Sequence, residues 1–153
     1  RRSSDLVYPS KEDCMSNQNT AQNTTPNTAE ALSRVIQWLR ERHDRIMAVE
    51  AEGLRLLEAG DTPGHNAKMR EKAEMLAALC TDAKPLLAQL PGELRFKLTL
   101  ALEHFSGNAR NALGFNSVFY MSALLYPDNH KKGEPDNLTL CIDRIEQQGE
   151  NFL

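Results

Sequence analysis

Apolar residues recur at helical spacing along most of the chain. Leu32, Ile36, Leu39, Ile46, Leu54 and Leu57, with His43 on the same stripe, predict a helix over residues 29–59. Asn27 or Thr28 stands where a cap belongs, Glu30 falls in the first turn, and Gly60 follows as a left-handed stop. A second stripe, Val35, Trp38, Val49 and Leu56, runs beside the first, so this helix presents a face wide enough for two neighbours. Gly53 interrupts it at a cost of about 1 kcal/mol against alanine, which a bend or a close helix contact would explain.

Met69, Ala73, Leu76, Cys80, Ala83, Leu87 and Leu90 alternate spacings of four and three, the seam of a helix in an antiparallel bundle. Pro85 predicts a kink or break near residues 81–85, where Asp82 could cap a short new helix containing Pro85. Leu94, Phe96, Leu98, Leu100 and Leu102 alternate like a strand. Leu94, Leu98, Ala101 and Phe105 also keep helical spacing, and the segment is poor in β-branched residues, so helix is the preferred reading. Ser106-Gly107-Asn108 is expected to interrupt or end that helix. Another then covers residues 109–126, broken at Gly114 and recapped by Asn116. Residues 127–137 form a polar loop, and a last helix spans residues 138–148, closed by Gly149.

The fold class expected is therefore all-α: an antiparallel helical bundle of four to six helices in one domain over residues 29–150. Residues 15–28 carry no charge and, after Met15, no large apolar side chain, which predicts a disordered polar tail. Residues 1–14 read as a translated leader. Lys11-Glu12-Asp13 can be encoded by a purine-rich bacterial ribosome-binding sequence, one codon upstream of Met15-Ser16-Asn17, a common sort of bacterial start.

Composition narrows the function classes. A net charge of −3, from 18 Lys+Arg against 21 Asp+Glu, gives no basic face for nucleic acid. No apolar run approaches the length of a membrane span, and no signal peptide is visible. Cys14, Cys80 and Cys141 are far apart and odd in number, which argues against a disulfide framework and points to a cytoplasmic protein.

Chemistry-bearing patterns are sparse. The chain contains no Cys-x-x-Cys, no Glu-x-x-His, no phosphate-binding glycine loop and no nucleophile elbow, so no cofactor, metal or catalytic residue is assigned. Cys80 and Cys141 lie on apolar faces, and His43 reads as a core or boundary histidine. Arg34, Arg40, Arg42 and Arg45 alternate with Glu30, Glu41 and Asp44, including a Glu41–Arg45 pair at i,i+4.

Broad apolar faces without a catalytic cluster favour a non-enzymatic protein–protein interaction module: an adaptor, export chaperone or regulatory subunit. Trp38 flanked by Arg34, Arg42 and Arg45, with Leu56 beside them, is the expected partner-binding surface, since Trp and Arg dominate interface hot spots. The partner would be another protein or a second copy. The alternative is a small-molecule or cofactor-binding bundle, its pocket lined by His43, His104, Asn108 or Asn111. The stretch Glu52-Gly53-Leu54-Arg55-Leu56-Leu57-Glu58-Ala59-Gly60-Asp61, followed by Glu71-Lys72-Ala73 and Leu76-Ala77-Ala78-Leu79, slightly resembles the small helical chaperones of flagellar export. The resemblance covers under a third of the chain, and residues 94–102 and 127–137 depart from it.

Overall fold

A computed structural model of the chain describes residues 24–152. Among them, every regular element is helical: α1 (Thr24–Glu58), α2 (Thr62–Ala77), α3 (Leu79–Leu87), α4 (Gly92–Gly114), α5 (Val118–Ala123) and α6 (Asn137–Gln148), followed by a 3₁₀ turn, Gly149–Asn151. The expected leader, and most of the expected tail, lie outside the described residues.

The first helix starts at Thr24, earlier than residue 29, so Asn27 and Thr28 lie inside it rather than capping it. Pro26 is no obstacle, because the N–H it lacks is one that a first turn leaves unbonded. Leu32, Val35, Leu39 and Ile46 are buried, with Trp38 and Met47 packed against them. Leu54 and Leu57, expected in the core, are exposed. The buried position in those last turns is Gly53. A Cβ built there would stand 2.6 Å from Met69 Cε and 3.0 Å from Lys68 Cβ, so the glycine marks a close approach of α1 and α2.

The break in the second helical run falls at Ala78 instead of at residues 81–85, and its cause is a side chain from elsewhere. Ser106, fully buried on α4, donates its hydroxyl to Leu76 O (2.9 Å) and accepts from Cys80 N–H (3.0 Å). Those two groups would bond each other in an unbroken helix. The hydroxyl is inserted into the ladder and separates α2 from α3. Pro85 sits exposed within α3 and does not stop it, and Asp82 is not a cap.

The helix expected to stop at Ser106-Gly107-Asn108 continues to Gly114, because Ser106 is spent on that bridge. Leu94, Leu98 and Leu102 are buried while Phe96 and Leu100 point outward, so the strand-like alternation is two faces of one helix. Asn116 follows in the left-handed region (φ 51°), and Ser117, not Asn116, caps α5 by accepting from Tyr120 N–H. α2 packs against both α1 and α4; α3 also lies on α4, α5 on α2, and α6 on α1. Phe152 folds back into the main core.

Candidate functional site

The C-terminal half of α4, the short α5 and the chain leaving it enclose an open groove of about 650 Å³. Asn108, Asn111 and Phe115 form one wall, Ser117 and Tyr120 the rim, and Leu124, Leu125, Tyr126 and Asn137 the other side. None of the lining residues is charged. A small cluster of Met69, Ala73, Ala112 and Met121 supports α5 from below. The rim is aromatic and open to water: Phe115 is 75% exposed and Tyr120 55%, and Phe119, which stands next to Tyr120 outside the lining, is 74% exposed. Their rings touch, Phe115 to Tyr120 at 6.5 Å and Phe119 to Tyr120 at 5.6 Å between centroids.

The groove is held by groups that lie beneath it. Leu125 is buried with φ at +78°, a strained conformation for a leucine, and its carbonyl accepts from Asn137 N–H (2.9 Å). Tyr126 turns its hydroxyl inward and donates to Glu50 Oε1 (2.6 Å). Lys72, fully buried on α2, donates to Ser122 O (2.9 Å) and lies 5.1 Å from the Tyr126 ring centre. Its Nζ is also 3.0 Å from Glu50 Oε2, an ion pair lacking the alignment of a hydrogen bond. Burial pushes the Lys72 ammonium down in pKa, and Glu50 pulls it back toward the charged form. Burial, then the bond to Glu50, pushes the Tyr126 hydroxyl up. One charged cluster thus ties α1, α2 and the exit of α5 together.

Beside it, Asp136 caps α6, its Oδ1 accepting from the Leu138 and Thr139 amides at 3.0 and 3.1 Å. Its Oδ2 takes His43 Nε2 (2.7 Å) and the Thr139 hydroxyl (2.9 Å). Burial opposes the Asp136 charge, but the bonds from His43 and Thr139 outweigh it and hold the carboxyl down at about 2. His43 is raised, first by the hydrogen bond to Asp136, against burial. Thr, His and Asp meet here without forming a nucleophilic relay. Thr139 Oγ1 and Asp136 Oδ2 both face Nε2, whereas a relay uses the two ring nitrogens separately. The arrangement joins α1 to the α6 cap.

Around Trp38, part of the expected surface makes contacts within the fold and part stays exposed. Trp38 is half-buried against the core, with the Arg42 guanidinium 4.9 Å from its ring centre and 3.5 Å from Asp82. Arg34 reaches Gln89 on the segment after α3 (3.2 Å) and Glu30 (3.8 Å). Arg45 is exposed, Leu56 is half-buried, and Glu41 accepts from Gln37 (3.2 Å) in place of the expected Arg45. Of the pocket residues expected, Asn108 and Asn111 line the groove, and His104 lines an adjoining recess of about 30 Å³. His43 points to Asp136 instead.

Comparison with protein-family models, with curated proteins and with solved structures finds no match to this chain.

Among the described residues, no three His, Cys, Asp or Glu side chains gather as metal ligands, and no helix is long and apolar enough to cross a membrane. Burial pushes the Cys80 and Cys141 thiols up, away from the reactive thiolate. The aromatic rim was missed in the sequence. The signal for it is that residues 111–127 carry no charge while supplying Phe115, Phe119, Tyr120 and Tyr126.

Proposed function

We propose that this chain is a non-enzymatic protein–protein interaction module, an antiparallel helical bundle that receives its partner on the α4–α5 face. The observation that carries the reading is the exposed ring cluster of Phe115, Phe119 and Tyr120 around an uncharged groove. Aromatic side chains bring large contact area at small entropic cost and are enriched at interface hot spots. The supports beneath the groove fit a surface kept in shape for docking, since Tyr126 donates inward to Glu50 and Lys72 to Ser122 O instead of facing a substrate. A cytoplasmic adaptor, chaperone or regulatory subunit of a bacterium is the setting that suits such a module.

A photo-crosslinking residue at position 119 tests this in cells that make the protein. Protein adducts are expected from position 119 and not from Glu71, an exposed control on α2. No protein adduct at 119 overturns the reading. A second reading, small-molecule binding, is favoured by the Asn108, Asn111 and Asn137 amides, which line a groove of ligand size. Native mass spectrometry separates the two: a stoichiometric small-molecule mass supports the second.

A further inference from the structure

The far wall of the groove is a loop closed on itself and pinned to α1. The chain leaves α5 at Leu124, runs out through residues 127–136 and returns at Asn137, whose N–H is given to Leu125 O (2.9 Å). Leu125, Tyr126 and Asn137 all line the groove. The segment is fastened to α1 at both ends: Tyr126 donates to Glu50 at its start, and Asp136 accepts from His43 at its finish. Leu125 sits between the two fastenings with φ at +78°, a conformation that persists only where the surroundings hold it. The wall is thus kept in place against the preference of its own backbone.

We propose that this wall is a pH-responsive gate latched by His43 and Asp136: it stays closed against α1 while His43 carries its proton, and opens more often once the proton has left. The proposal rests on the interaction reading above only for the purpose of the gate. The two nitrogens of His43 divide the work. Nε2–H is held by Asp136 Oδ2 (2.7 Å), an oxygen that also accepts from the Thr139 hydroxyl (2.9 Å). Nδ1 faces the exposed Asp44, 3.9 Å away. The proton that comes and goes is therefore the one on Nδ1. Its loss keeps the bond to Asp136 but turns an ion pair into a bond with one neutral partner. The charges around the pair are committed elsewhere. On α1, Arg40 is engaged by Asp143 and Glu146 of α6, each at 3.2 Å, and Asp44 has the same sign as Asp136. From α2, Lys72 feels the Asp136 charge but is spent on Ser122 O and Glu50. From the wall, Tyr126 is pushed up and keeps its proton on Glu50. The wall also carries His130, which stacks on Tyr126 (4.8 Å between ring centres) and donates to Glu134 O.

Amide hydrogen exchange followed by NMR tests the gate on the full chain, with no partner added. The Asn137 amide reports the wall, and the Cys80 amide, bridged to α4, reports the docked core. Both are corrected for the intrinsic pH dependence of exchange. As pH rises above about 6.5 through the raised His43 value, Asn137 protection is expected to fall about threefold relative to Cys80, the size of a modest ion pair. In His43→Gln the ratio should stay flat. In Asp44→Asn, an exposed change that removes a carboxylate raising His43, the fall should begin at lower pH. Asn137 and Cys80 falling in parallel overturn the proposal, because His43 then acts on the whole fold and not on the wall. So does a fall that survives in His43→Gln, which would move the titration to His130, an onset unmoved by Asp44→Asn, or an Asn137 amide without protection at low pH. Protein adducts from position 119 with an Asn137 amide indifferent to pH would leave the interaction reading standing and remove this one. A responsive amide without adducts would do the reverse.

Discussion

Ser106 exchanges one backbone hydrogen bond for two bonds of its own. In Ser106→Ala, the Leu76 carbonyl and the Cys80 amide lose their buried partner, and stability is expected to fall by about 2 kcal/mol. Urea denaturation measures it; an unchanged midpoint would mean that the backbone closes the gap directly. His43 and Asp136 make a second residue-scale expectation. His43 is raised, so its contribution is full below about pH 6.5 and is lost as pH climbs through the raised folded value. Asp136 is held down at about 2, so its contribution is present above about pH 4 and is lost as pH falls through its folded value. Both act together between about pH 4 and 6.5. Wild-type stability should therefore decline as pH rises above about 6.5 through the raised His43 value, with a flatter profile for His43→Gln. Parallel profiles for the two proteins would place the titration elsewhere.

At the scale of elements, two contacts pin α1 to α2. Gly53 lets the helices meet at Met69 and Lys68. Gly53→Ala should lower stability by about 1 kcal/mol, because crowding outweighs the gain in helix propensity. A rise in the thermal midpoint would show that Met69 and Lys68 yield. Lys72 joins both helices to the end of α5. Lys72→Ala leaves Glu50 without its cation and should cost about 3–5 kcal/mol, and Lys72→Met with Glu50→Leu should recover much of that. A chemical denaturation series in which the double variant is no better than Lys72→Ala would contradict this. Helix spacing made most elements readable in advance. The stops at Gly60 and Gly149 were readable as well, and both glycines have positive φ; the break at Ala78 was not, because it is determined by a serine from α4, nor was the continuity of α4, which follows from that same serine's partners. Pro85 does stand in a short helix of its own, as expected, but that helix begins at Leu79, ahead of residues 81–85.

For the molecule as a whole, the exposed rings do little for the fold. Phe119→Asp should change the unfolding free energy by no more than about 0.5 kcal/mol while abolishing crosslinking through its neighbourhood. A large loss of stability would return Phe119 to the core. Trp38 and its arginines drew attention in the sequence because composition alone does not tell a cation–π pair made within the chain from one offered to a partner. Asn108 and Asn111 were legible as pocket residues, but the aromatic rim needed the turn at Asn116 that folds α5 beside α4. The Ser106 bridge has a kinetic consequence too. The Cys80 amide is shielded by a hydroxyl 26 residues away in sequence. Its hydrogen exchanges with deuterated solvent only when α4 lifts from the α2–α3 junction. One amide thus reports, in real time, whether the two halves of the chain are docked.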